Sequence, residues 1–238
     1  MNRLAVLRWA LLAGFSLSMV STGAADEGWR TVSVSFRPIN IANSQNALWI
    51  CGVHEGIASS KDGGSSWQVH QSSEGGILLN IGFVDAKVGY AGGTNGLLLL
   101  TKDGGQTWLP TKAGTEPILQ VAFGDEKHGM IRTPSAVQLT DDGGAHWKEV
   151  SALKTDKELA KWKFVFALGA LDATHAAIML KVGPAQYQTQ TFLTTTDGGQ
   201  NWKRIVVPDV TLYSFVVSHR EYWAFGTEVI EKNKPGGG

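Results

Sequence analysis

Thr101-Lys-Asp103-Gly-Gly105-Gln-Thr-Trp108 decides the fold, because the chain writes it four times. The other copies are Ser60-Lys-Asp62-Gly-Gly64-Ser-Ser-Trp67, Thr140-Asp-Asp142-Gly-Gly144-Ala-His-Trp147 and Thr195-Thr-Asp197-Gly-Gly199-Gln-Asn-Trp202. Their aspartates follow one another at 41, 39 and 55 residues. A period near 40 suits four short strands and their turns, which is one blade of a β-propeller. The octapeptide itself reads as a turn. Asp-Gly and Gly-Gly reach positive φ without a Cβ clash. The carboxylate is expected to accept hydrogen bonds from backbone N–H groups two or three residues on. The Ser or Thr hydroxyl adds a local bond, and the Trp opens the next strand with a large apolar face. Every position thus has a structural task. Metal-ligating or catalytic aspartates are the competing reading, but four copies at blade spacing would point in different directions around a ring and could not converge.

The text before each box repeats as well. Ile77 to Val84, Val88 to Ala91 and Leu97 to Leu100 precede the second box; Ile118 to Phe123, Gly129 to Ile131 and Ala136 to Leu139 precede the third; Lys163 to Leu168, Ala176 to Leu180 and Thr191 to Leu193 precede the fourth. Runs of this length and composition are strands, so each unit reads strand, strand, strand, box, strand. Thr155 to Trp162 offers the one helical turn. The expectation is an all-β chain forming a single β-propeller over residues 26–238. Its blades fall at roughly 39–76, 77–117, 118–162, 163–211 and 212–238. The fifth unit has two strands, Leu212 to Val217 and Glu221 to Phe225, and no box. Trp29-Arg-Thr-Val32 resembles the strands that follow boxes, such as Trp147-Lys-Glu-Val150, so residues 29–36 are expected to close the last blade. That gives about five blades and removes exposed edges. A truncated larger ring is the alternative.

The N-terminus has the form of a secretory leader over 1–25: Arg3 and Arg8, an apolar run from Trp9 to Val20, then Ser21-Thr-Gly-Ala-Ala25. An uncleaved anchor is the alternative. The leader removes two of the 21 basic residues and none of the 21 acidic ones. The near-neutral remainder gives no electrostatic case for nucleic acid. No later segment is long and apolar enough to span a bilayer. The expected location is periplasmic or extracellular. Cys51 is the one cysteine, inside the apolar run Leu48-Trp-Ile-Cys-Gly52, and reads as a buried small hydrophobe.

The four boxes match the bacterial-neuraminidase-type Asp-box repeat. The longer unit Val88-Gly-Tyr-Ala-Gly-Gly-Thr-Asn-Gly-Leu-Leu-Leu-Leu-Thr-Lys-Asp-Gly-Gly-Gln-Thr-Trp108 resembles a blade of the photosystem II stability/assembly factor family. The resemblance covers nearly the whole chain after the leader. It implies a non-enzymatic, chaperone-like module that binds other proteins, in photosynthetic members a reaction-centre subunit through an arginine-containing face. The arginines beyond the leader here (Arg30, Arg37, Arg132, Arg204 and Arg220) are scattered, so no binding residue is carried across. The family's propellers also have more blades than this chain can supply.

An enzyme of the sialidase type is the second reading, since Asp-boxes occur there too. Such enzymes hold a substrate carboxylate with three arginines and use a Tyr–Glu pair and an Asp. Phe36-Arg37-Pro38-Ile39 is similar to the motif carrying one of those arginines, with Pro and Ile transposed, and no partner motif accompanies it. A third reading is glycan binding through an exposed aromatic. Trp162, between Lys161 and Lys163, is the tryptophan outside boxes and apolar strands. The fourth unit is long because of Ser151 to Trp162 and Lys181 to Gln188, and insertions in repeat folds map to loops on one face. Lys161, Trp162 and Lys163 are therefore the candidate partner surface; a tolerated surface loop is the plainer alternative. The six histidines show no metal-ligand spacing, so neither metal nor cofactor is expected. The partner expected is a protein, with a subunit of a membrane complex as the candidate and a glycan as the alternative.

Overall fold

The computed structural model describes residues 19–21, 30–54, 56–71, 76–183, 189–207, 210–218 and 221–228. The chain divides into two compact units between Val121 and Ala122.

In the first unit, β1 (Met19–Ser21) pairs antiparallel with β2 (Arg30–Val32). A four-stranded sheet follows from β3 (Pro38–Asn43), β4 (Leu48–Gly52), β5 (Gly56–Ser60) and β6 (Gln68–Gln71). The next consists of β7 (Leu78–Phe83), β8 (Gly89–Gly93), β9 (Leu97–Thr101) and β10 (Leu109–Lys112). In the second unit, β11 (Gln120–Phe123), which straddles the division, runs into β12 (Gly129–Arg132), β13 (Val137–Thr140) and β14 (Lys148–Glu149). Two short helices come next, α1 (Ala152–Thr155) and α2 (Lys157–Trp162). A fourth sheet holds β15 (Lys163–Ala170), β16 (Ala176–Val182), β17 (Thr189–Thr195) and β18 (Lys203–Val207). The last pair is β19 (Val210–Ser218) and β20 (Glu221–Glu228). Each four-stranded sheet is an antiparallel meander in chain order, and each box joins its third strand to its fourth. These are β-propeller blades.

Second and third strands carry the core. Trp49, Cys51, Ile57, Ala91, Leu97 and Leu99 pack with Leu78 and Ile81 of β7 in the first unit. Met130, Ile178, Leu180 and Leu193 do so in the second. Outer strands are more exposed, as in β10, whose Leu109 is 64 % accessible. First strands bulge near their start, between Pro38 and Asn40, Leu78 and Asn80, and Val165 and Ala167; β19 does the same between Leu212 and Ser214. In the first unit the residue after the bulge reaches to the following first strand. Asn40 Oδ1 accepts the Ile81 N–H at 3.4 Å, and Asn80 Oδ1 accepts the Val121 N–H at 3.0 Å.

The helical insertion is longer than the single turn expected, because two apolar residues tie it down. Leu153 and Leu159 are buried in the core of the second unit. Asp156 starts α2, its Oδ1 accepting the N–H groups of Glu158 (2.9 Å) and Leu159 (3.1 Å). These are N-terminal donors that the helix cannot satisfy internally.

Candidate interaction site

The box turns have one geometry. The hydroxyl at the first position accepts the N–H of the second glycine: Ser60 from Gly64 at 2.7 Å, and Thr101, Thr140 and Thr195 from Gly105, Gly144 and Gly199 at 2.9 Å each. The same hydroxyl donates to the aspartate at 2.8–2.9 Å. The carboxylate then accepts the backbone N–H four residues on, from Ser66, Thr107, His146 and Asn201, each at 2.9 Å. This is farther along the chain than the two or three residues expected. Both box glycines hold positive φ, which coils the chain and swings the fourth N–H back over the carboxylate. The side chain at that fourth position also donates to the aspartate in the first, second and fourth boxes, from Ser66, Thr107 and Asn201. These bonds favour the ionised form. Donation from the Ser66 side chain and N–H holds Asp62 at about 2, Thr107 does the same to Asp103, His146 to Asp142 and Asn201 to Asp197.

Trp67, Trp147 and Trp202 each return an indole N–H to the carbonyl of the second box glycine, at 3.0–3.1 Å. Trp108 does not. It is buried edge-on to Trp49 and Phe83, with its indole nitrogen unpartnered.

A second set of aspartates shapes the same end of the blades. Asp85, Asp125 and Asp172 lie between first and second strands and accept the N–H groups two and three residues on, at 2.7–2.8 Å. The first box glycine docks on that turn: Gly104 N–H on Lys87 O, Gly143 on Lys127 O, Gly198 on Thr174 O. The sequence reading passed over these aspartates. Their trace is Asp-x-[Lys/Thr]-x at the foot of the second strand in the second, third and fourth blades, too short to stand out without the register. In the second unit both sets carry histidines, with Nδ1 of His128, His146 and His175 at 2.9, 2.6 and 3.0 Å from Asp125, Asp142 and Asp172.

Between the third and fourth sheets, within the second unit, lies a cleft of about 610 Å³. His128, His146, Trp147, Asp172, Asp197 and Gln200 help to line it, so its walls are mainly box and turn residues of mixed charge. Ser151 also reaches the cleft and begins the helical insertion. The insertion is fastened to β18: Arg204 places its guanidinium 2.8 Å from Glu158 and 3.5 Å from Asp156. Lys154 bonds Glu149 at 2.7 Å, and Lys157 is exposed. Lys161 and Trp162 end α2 and Lys163 opens β15; their side chains lie outside the described ones, as do residues 184–188 of the second insertion. Cys51 is buried, and burial, partly offset by a backbone hydrogen bond from Asn40, pushes its thiol up to about 12. Among the described residues no three His, Cys, Asp or Glu side chains are grouped to hold a metal ion. No described helix is long and apolar enough to cross a membrane.

No family model matches the chain. The photosystem II assembly lipoprotein Ycf48 of Synechococcus sp. (strain CC9902) is 31 % identical over 148 residues, which are 58 % of this chain and 44 % of that protein. The chain thus matches less than half the length of this curated relative. Among solved structures, Ycf48 from Cyanidioschyzon merolae superposes with a TM-score of 0.51 at 13 % identity, over 84 % of this chain and 97 % of the other. An ancestral GH74 enzyme superposes with a TM-score of 0.53 at 14 % identity, over 74 % of this chain and 27 % of the other. At such identities the two structures speak for the fold alone. The chain is an Asp-box β-propeller that resembles the photosystem II assembly factors in sequence and, more distantly, the propellers of glycoside hydrolases in fold.

Proposed function

We propose that this chain is an exported, non-enzymatic propeller that binds a protein subunit during assembly of a membrane complex. The similarity to a photosystem II assembly lipoprotein carries this reading. The architecture is consistent with it, since the box aspartates are taken up by their own turns and the proposed site is a surface. The four boxes act as scaffold. The partner surface is the helical insertion with Lys161, Trp162 and Lys163, next to the cleft between the third and fourth blades. The insertion is held in one place by Leu153, Leu159 and the Arg204 ion pairs, so it presents a preformed ridge.

Cross-linking and affinity capture from the native envelope fraction tests the reading. A control variant replaces the exposed residues of 151–163 and keeps Leu153, Leu159 and Asp156. Enrichment of one membrane-complex subunit, lost with the control, is the expected result. Equal capture by both proteins moves the surface elsewhere. Absence of any specific protein, together with turnover of a fluorogenic glycoside that is lost in Arg37→Ala, replaces the reading with the hydrolase one.

A further inference from the structure

The boxes contain all four Asp-Gly pairs of the chain: Asp62-Gly63, Asp103-Gly104, Asp142-Gly143 and Asp197-Gly198. Asp-Gly is the peptide unit most open to succinimide formation, because glycine has no side chain to shield its nitrogen from the neighbouring carboxyl carbon. The carboxylate half of the pair is held alike in every box, by the hydroxyl at the first position and the N–H four residues on. The glycine half is not. Gly104, Gly143 and Gly198 donate their N–H groups to the carbonyls of Lys87, Lys127 and Thr174 at 2.9, 2.8 and 2.9 Å. A Cβ on each would lie 2.9–3.2 Å from the carbonyl oxygen of Ala86, Glu126 or Ala173 in the same turns. Among the described residues no group accepts the Gly63 N–H, and a Cβ there meets nothing within 4 Å. The first box is also the one in which both the aspartate and the glycine after it are exposed. The cause lies in the receiving turn. Val84 to Val88, Gly124 to His128 and Leu171 to His175 each span five residues around Asp85, Asp125 and Asp172. Between β3 and β4 the link is Ser44-Gln-Asn-Ala47, one residue shorter and without an aspartate.

We propose that Asp62-Gly63 is a modification site, the position at which the folded chain rearranges to isoaspartate. The Gly63 nitrogen gives up its proton and attacks Cγ of Asp62. A C–N bond forms, the C–OH bond of the protonated carboxyl breaks, and water leaves. Water then reopens the imide. Addition at Cγ restores aspartate; addition at the α-carbonyl leaves the backbone running through Cγ, with the α-carboxylate free. At the other boxes the glycine N–H must first leave its carbonyl, which Gly63 does not have to do. The rearranged chain carries an extra methylene in its backbone, and its carboxylate is displaced. The Ser60 hydroxyl and the Ser66 N–H then lose their common acceptor, which loosens the turn between β5 and β6.

The test incubates the full chain, folded, in mildly acidic buffer. Electron-based fragmentation of its peptides then tells isoaspartate from aspartate at each box. Methyl transfer from S-adenosylmethionine by an isoaspartyl methyltransferase gives a second reading of the same peptides. Asn95-Gly96 is the one Asn-Gly pair, and its deamidation also yields isoaspartate. That reaction changes the peptide mass, whereas the Asp62 rearrangement does not, so the two are read apart. Isoaspartate should accumulate at Asp62 about fivefold faster than at Asp103, Asp142 or Asp197, the factor that one hydrogen bond supplies. In denaturant, where no turn receives any of the glycines, the four rates should converge. Equal rates in the folded chain, a faster rate at another box, or an undiminished lead for Asp62 in denaturant overturns the proposal.

Discussion

At the scale of single residues, the box is a closed circuit of hydrogen bonds in which the first hydroxyl is the hub. Thr101 is 1 % exposed, accepts the buried Gly105 N–H and donates to Asp103. Thr101→Val keeps the shape and leaves that N–H unsatisfied. It should cost about 1–3 kcal/mol in chemical denaturation, whereas Thr101→Ser should cost well under that. Box glycines differ in surroundings from one box to another although all have positive φ. A Cβ on Gly63 meets nothing within 4 Å, so Gly63→Ala bears the conformational cost alone, about 1–2 kcal/mol. A Cβ on Gly105 would stand 2.1 Å from the Trp49 ring. Gly105→Ala should therefore destabilise clearly more than Gly63→Ala, with loss of the near-UV signal of the Trp49–Trp108–Phe83 cluster. The residue types of the box were legible in the sequence, because only small, turn-forming and aromatic residues recur there. The reach of the carboxylate to the fourth N–H was not, since it depends on two consecutive left-handed glycines whose combined rotation a dipeptide rule does not contain.

At the scale of elements, the strands were legible and their attachments were not. Alternating and β-branched runs between regularly spaced turns announce meandering sheets without any knowledge of contacts. The insertion was visible as surplus length. Its two helices and their docking rest on Leu153 and Leu159 finding a core built from strands on either side of them. Leu159 is 1 % exposed. Leu159→Ala should cost about 2–5 kcal/mol and raise amide exchange across 151–162 while leaving the blades of the first unit protected. If partner capture depends on a fixed ridge, the same variant should weaken it even at temperatures where the protein remains folded. The inter-strand bonds from Asn40 and Asn80 were likewise hidden, because an asparagine after a bulge has no signature apart from the partner N–H it meets.

At the scale of the whole molecule, the depressed aspartates add up to an acid response. A carboxylate whose folded value lies near 2, below its unfolded value of about 3.9, favours the folded state above about pH 4 and loses that contribution as pH falls toward 2. All four boxes share the sign, and Asp125 and Asp172 are lowered as well by their turn N–H groups, against the opposing effect of burial. The melting temperature should therefore be nearly level from pH 7 to 5 and fall steeply between about 4 and 2. Replacing the four box aspartates by Asn should flatten that fall, measured by calorimetry across the pH series. The period of the chain has an evolutionary consequence of its own. Each Asn peg grips an N–H 41 residues downstream, from Asn40 to Ile81 and from Asn80 to Val121. A duplication of one such interval would copy the peg together with the strand that meets it, so an added blade would arrive already tied to its neighbour.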